Sequence, residues 1–175
     1  ADPHVWLSPK LAEKMADAIL RGFIAVDPRS QTEYEANTVA LKSRLADLDR
    51  EYREGTAHCA KRDFITSHGA FGYLAAEYGL NQISIAGLSP EQEPSPAVLA
   101  SVVRFARERK IGYVLFEGLS HAKFSRTIAH EIGALTLVLD PIEGLTPDDN
   151  AKGENYFTKM RMNLANLKLA LECIP

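Results

Sequence analysis

Several features that mark common protein classes are scarce or missing here. The 175 residues contain two cysteines and a single tryptophan. Cys59 and Cys173 have no close cysteine neighbours of the CxxC kind, which argues against a structural zinc cluster built on them; one disulfide, two buried thiols or half of a metal site stay open. No apolar run approaches the roughly 20 residues of a membrane span. The opening "ADPHVWLSP" carries neither the basic nor the apolar part of a leader and reads as internal to a longer chain. Net charge is only -3, with lysines and arginines scattered rather than striped, which argues against nucleic acid or an anionic membrane surface as a partner. No GxGxxG follows the first strand pattern, and there is no phosphate-cradling P-loop and no His-Glu-x-x-His. Ser67, between Thr66 and His68, lacks the glycine frame of a nucleophile elbow.

What is present is ordinary globular material, 46% hydrophobic and 25% charged, enough for one good core. Leu11, Met15, Ile19, Leu20 and Phe23 recur at helical spacing until Asp27-Pro28 stops them. A long helix follows from Gln31 to Gly55, its narrow stripe of Tyr34, Val39, Leu41, Leu45, Leu48 and Tyr52 suited to bracing two bodies. From Arg62 the pattern changes to strand and helix in alternation: "DFITSH", "NQISIAG", "IGYVLFEG" and "LTLVLD", each followed by an amphipathic segment. The expected fold is α/β, a four-stranded parallel sheet flanked by helices and preceded by a long linking helix. Right-handed crossovers bring every strand's carboxyl end to one rim, so His68, Gly87, Glu117 and Asp140 should converge there. The same topology carries Cys59, before the first strand, and Cys173, at the end of the last helix, to the opposite edge, where a disulfide between them is expected.

Each rim residue also has a plainer reading. A histidine at a helix start can be served by backbone groups, Glu117 can pair with a cation, and Asp140 before Pro141 can initiate a turn. His4 can cap or stack beside Trp6. His58 and His130 fall in a pre-strand loop and on a surface helix and are assigned no function. "LSPEQEPSP" reads as a turn-rich connector whose prolines set the entry to the next helix.

Taken together, "DPHVWLSP", "TSHGAFGYLAAEYGL", "GLSPEQEPSP", "VLFEG", "LDPIEGLT" and "YFTKMRMNLANLKLAL" resemble, in order, the solute-binding proteins and lipoproteins of zinc and manganese ABC transporters, specifically the zinc (ZnuA-type) branch. The resemblance implies two α/β lobes joined by a long helix with the metal between them. Residues 1–29 would be a remnant of the N-terminal lobe, 30–56 the linking helix and 57–175 the C-terminal α/β lobe. Carried over position by position, the metal ligands are His4, His68 and Asp140, with Glu143 as the alternative carboxylate. A further ligand, an early-lobe histidine, has no counterpart in this sequence. Glu117 is read as a carboxylate that orients an imidazole.

Imidazole at "TSHG", where the manganese branch resembles "TSEG", favours Zn²⁺ over Mn²⁺. The implied role is extracytoplasmic zinc capture, in the periplasm or on the outer face of a bacterial membrane, by a monomer that delivers Zn²⁺ to an ABC permease, with acidification weakening binding. The resemblance implies a binding protein and not an enzyme. The alternatives are a manganese-binding member, an adhesin on the same scaffold, or a zinc-dependent hydrolase with Glu117 as its base. His4, on a stretch belonging to the other lobe, is expected to be poorly anchored and the chain to bind zinc more weakly than an intact parent.

Overall fold

The computed structural model describes residues 1–89, 92–117 and 122–174, with the backbone alone at 122 and 123. Strands β1 (Asp63–Thr66), β2 (Asn81–Ser84), β3 (Tyr113–Phe116) and β4 (Leu135–Val138) form one parallel sheet in the order β2-β1-β3-β4. Alternation along each strand sends neighbouring side chains to opposite faces. Phe64 and Leu115 enter the core on one side, Ile65 and Val114 the core on the other. With both faces covered, the inner strands carry adjacent apolar residues, Phe64 with Ile65 and Val114 with Leu115, one for each core, as buried parallel strands do.

The first face carries α2 (Gln31–Ala57), α3 (Gly72–Glu77) and α7 (Tyr156–Ala170), whose Leu48, Tyr52, Leu74, Met160 and Leu167 are buried together. On the second face lie α4 (Pro96–Glu108) and α5 (Ala122–Ile132), contributing Val102, Ala106, Ile128 and Ala129. The helix starts follow from local chemistry. Ser8 Oγ accepts from Leu11 N ahead of α1 (Pro9–Val26), and Ser95 does the same for Val98 N ahead of α4, each with proline at the first helical turn. A capping box between Thr146 and Asp149 opens the short α6 (Pro147–Ala151), an element the hydrophobic pattern did not announce. Gly79 and Gly133, at φ 65° and 71°, end α3 and α5 in the left-handed region.

Helix α2 runs 27 residues, about 40 Å at 1.5 Å per residue. Its buried residues, Leu45, Leu48, Tyr52 and Thr56, all lie in the second half, where Tyr52 Oη donates to the Met160 carbonyl at 2.7 Å. The first half pairs with α1 through Lys42 and Asp17, 2.8 Å apart, and through the Phe23 and Tyr34 rings, with centroids separated by 5.2 Å. Much of the expected apolar stripe is uncovered there: Ile19, Phe23 and Val39 are exposed.

Cys59 and Cys173 are joined by a disulfide, as the topology predicts. Around it the chain end is stitched to the segment entering β1: Lys61 N donates to the Leu171 carbonyl at 3.0 Å and Ile174 N to that of His58 at 2.9 Å.

Candidate metal site

The chain runs outward from β1 to β2, then returns past β1 to build β3 and β4, so the strand order reverses between β1 and β3. Crevices at such reversals, outside the carboxyl ends, are where open α/β sheets bind ligands. His68 follows β1 and Glu117 follows β3. The turn that delivers His68 is pinned by Thr66 Oγ1 and Gln82 Nε2, which donate to the His68 carbonyl at 2.7 and 2.9 Å, and by Gly69 N, which donates to the Gly87 carbonyl at 2.8 Å. A Cβ on Gly69 would stand 3.3 Å from that carbonyl oxygen, a close approach that suits glycine.

His68 is fully buried. Its Nδ1 contacts Oε1 of the buried Glu117, which also accepts from Ser67 Oγ. His4, 3% exposed, repeats the arrangement from another part of the chain. Asp2 Oδ1 lies 2.7 Å from His4 Nδ1 and accepts the His4 backbone N–H at 3.0 Å. A carboxylate only accepts, so in each neutral ring the proton sits on Nδ1 and the Nε2 lone pair is free. The two rings meet edge to face with centroids 5.3 Å apart.

Between them stands Glu143. Its Oε1 is 3.3 Å from His4 Nε2 and 3.9 Å from His68 Nε2, and one ligand atom from each of the three residues falls within 4.8 Å of the others. Two donors bound tetrahedrally at zinc's usual bond lengths are about 3.3 Å apart, so the cluster is already close to the spacing the ion needs. Among the described residues His68 Nε2 is a buried nitrogen with no hydrogen-bond partner. An orphaned buried lone pair beside a second imidazole and a carboxylate is a costly arrangement for an apo protein and a suitable one for a divalent cation.

Asp140, the first choice among the carboxylates on sequence grounds, is not in the cluster. Its Oδ2 lies 3.2 Å from Lys159 Nζ, and its Oδ1 accepts the Ile142 backbone N–H at 2.8 Å. The alternative, Glu143, takes the place beside the imidazoles. Poor anchoring of His4 is also not what is found: Trp6 Nε1 donates to the Pro141 carbonyl at 2.8 Å, Tyr156 Oη donates to the Trp6 carbonyl at 2.7 Å, and Leu7 is fully buried in the sheet core. Asp2 passed unnoticed in the sequence; its position two residues before a candidate ligand was the available signal. Pro90 and Glu91 of the "LSPEQEPSP" connector and Gly118 of "VLFEG" lie outside the described residues.

Comparison with known proteins gives one consistent result. The family model for zinc-uptake complex component A, periplasmic, matches residues 1–170. The high-affinity zinc uptake system protein ZnuA of Bacillus subtilis is 46% identical over 170 residues, 97% of this chain and 53% of its own length. Among solved structures, the Zn(II)-bound ZnuA-like domain of Streptococcus pneumoniae AdcA superposes with a TM-score of 0.83 at 41% identity, covering 98% of this chain and 64% of that one. The laminin-binding protein Lbp of Streptococcus pyogenes gives a TM-score of 0.89 at 34% identity, covering 97% of this chain and 65% of that one. The chain thus spans about half the length of the curated ZnuA relative. Its sequence match from the first residue to residue 170, and its superposition on these structures, place the chain in the ZnuA family, zinc-uptake complex component A.

Proposed function

We propose that this chain is part of an extracytoplasmic protein that captures Zn²⁺ and delivers it to an ABC permease, with His4, His68 and Glu143 as ligands. One observation carries the reading: two buried imidazoles, each with Nδ1 engaged by a carboxylate, offer Nε2 to a common point beside Glu143. Carboxylate–histidine–metal chains of this kind fix ring orientation and raise ligand basicity. Two nitrogens and one oxygen form a donor set suited to Zn²⁺ and a poor one for Mn²⁺. A fourth position is left for water or for the early-lobe histidine that the family resemblance implies.

Capture accounts for the groups better than catalysis does. Glu117, the base a zinc hydrolase would use, has Oε1 occupied by His68 Nδ1 and Ser67 Oγ. The half-exposed Glu143 gives the ion an open side for entry and release. In this reading residues 57–175 are the C-terminal lobe, 30–56 the link and 1–29 part of the other lobe, an assignment supported by the open apolar stripe of α1. A disulfide fits an oxidising compartment, and no helix among the described residues is long and apolar enough to cross a membrane.

Zinc titration of the metal-free protein, followed by calorimetry and native mass spectrometry, tests the proposal. One Zn²⁺ per chain is expected in the wild type, with binding weakened at least a hundredfold in His68→Ala. Equal binding by wild type and variant would overturn it.

A further inference from the structure

Glu143 differs from the two histidines in being carried by a loop, the segment between β4 and α6, and in being 47% exposed. A ligand on a free loop must be ordered when the ion binds, and that ordering subtracts from affinity. This loop is not free. Asp140, near its start, exchanges hydrogen bonds with Asn163 of α7, N to Oδ1 at 2.8 Å and Nδ2 to O at 2.7 Å. Asp149, beyond its end, closes the capping box of α6 by accepting from Thr146 N and Oγ1 with Oδ2.

Between these two aspartates stands a single ammonium group. Lys159 projects from α7 with Nζ 3.2 Å from Asp140 Oδ2 and 2.6 Å from Asp149 Oδ1, and the residue is 9% exposed. A lysine so buried is costly unless paired, and here both partners flank the segment that carries Glu143. Ile142, the residue before Glu143, has φ 55°, a left-handed conformation that a β-branched residue adopts only where its surroundings impose it. The imposed contacts are at hand: Asp140 Oδ1 accepts Ile142 N, and Trp6 holds the Pro141 carbonyl.

We propose that Lys159 is a positioning residue for zinc capture: by gripping Asp140 and Asp149 together it holds the intervening loop in the one conformation that sets Glu143 beside His4 and His68. The proposal rests on the zinc-binding reading of that cluster. Lys159 touches none of the three ligands and acts through the loop alone. It also occupies Asp140, leaving Glu143 as the carboxylate of the cluster.

The test is a double-mutant cycle on zinc affinity, measured with Zn²⁺ in competition with a chromophoric chelator. Lys159→Met keeps the aliphatic stem and removes the charge; it should weaken binding about tenfold, the scale on which groups behind a metal ligand act. Lys159→Arg should recover most of the loss. In a Glu143→Gln background, Lys159→Met should leave affinity unchanged or improve it, because the ligand it positions is gone. A loss as large there as in the wild-type background would mean a general effect on the fold and would overturn the proposal, as would wild-type affinity in Lys159→Met. Should Lys159→Met fail to fold, Asp149→Asn removes one arm of the grip and enters the same cycle with the same outcomes. Glu143→Gln binding zinc as tightly as wild type would instead refute the ligand set, and this inference with it.

Discussion

Trp6 donates its indole N–H to the carbonyl of Pro141 at 2.8 Å, tying the segment that carries His4 to the loop that carries Glu143. These residues are far apart in the chain, and the bond makes the His4 and Glu143 side chains neighbours. It explains why a histidine on a stretch leading into α1 is 3% exposed rather than loosely held. Replacing Trp6 with Phe should keep the ring against His4, at a centroid distance of 5.4 Å in the wild type, while deleting the donor. The expected result is a loss of about 1 kcal/mol in stability and several-fold weaker zinc binding, read by denaturant titration and calorimetry. Unchanged zinc affinity would show that the two segments are held together by other contacts.

The carboxylates behind the imidazoles should matter although they touch no ion. Glu117→Gln can offer an amide N–H to His68 Nδ1 and so favour the tautomer with its proton on the metal-facing nitrogen. Zinc affinity should fall about 10- to 100-fold. Asp2→Asn should act in the same direction at His4. The spread between these two losses, measured by competition with a chelator, reports how much each tautomer is fixed by its carboxylate.

Exchange of His68 for glutamate converts the donor set to one nitrogen and two oxygens. The preference for Zn²⁺ over Mn²⁺ should narrow, because the harder carboxylate suits Mn²⁺ relatively better. Parallel titrations with both ions give the ratio directly; an unchanged ratio would remove His68 from the ligand set. Acid should release the ion from the wild type, since protons compete with it for the ligand atoms.

The pairing of Lys159 with Asp149 sets a window of pH for stability. The hydrogen bond from Lys159, then those from Thr146, hold the Asp149 carboxyl well below the usual carboxylate range. Burial alone would lower the Lys159 pKa, but its hydrogen bonds with Asp149 and Asp140 raise it. A depressed carboxylate contributes stability above its unfolded value of about 3.9 and loses it as pH falls through the folded value; a raised lysine contributes below about 10.4 and loses it as pH rises through the folded value. Asp149→Asn should therefore lower the melting temperature at pH 7, and the difference from wild type should shrink as the pH falls below about 4. A constant difference down to pH 3 would show that neither Lys159 nor Thr146 holds the Asp149 carboxyl below its ordinary range.

The disulfide spans 114 residues of sequence and stitches the chain end to the entry of β1. Replacing both cysteines with serine should cost about 2–5 kcal/mol, seen as an earlier unfolding midpoint in urea. The zinc affinity of the folded variant should be unchanged, because the bridge lies at the sheet edge opposite His4, His68 and Glu143. Titration of the denatured, unreduced wild type should find no free thiol.

Much of this architecture was legible in the chain because it depends on local periodicity. Short apolar runs in "DFIT" and "YVLF", helical spacing in the segments between, and serine or asparagine caps specify strands and helices within a few residues of where they lie. Once four strands are parallel, right-handed crossovers oblige their carboxyl ends to share a rim, so His68 and Glu117 were foreseeable neighbours. The pairing of Cys59 with Cys173 followed from the same topology. The choice between Asp140 and Glu143 did not. They stand three residues apart, both acidic and both beyond β4, and nothing within that stretch separates them. Lys159, on a helix later in the chain, separates them by taking Asp140, and Trp6, from near the other end, holds Pro141. The same holds for His4, whose burial rests on Asp2, Pro141 and Tyr156 together. A pattern of nearby residues can encode a backbone conformation, but which of two neighbouring carboxylates is left free depends on charges and donors that only folding brings within reach.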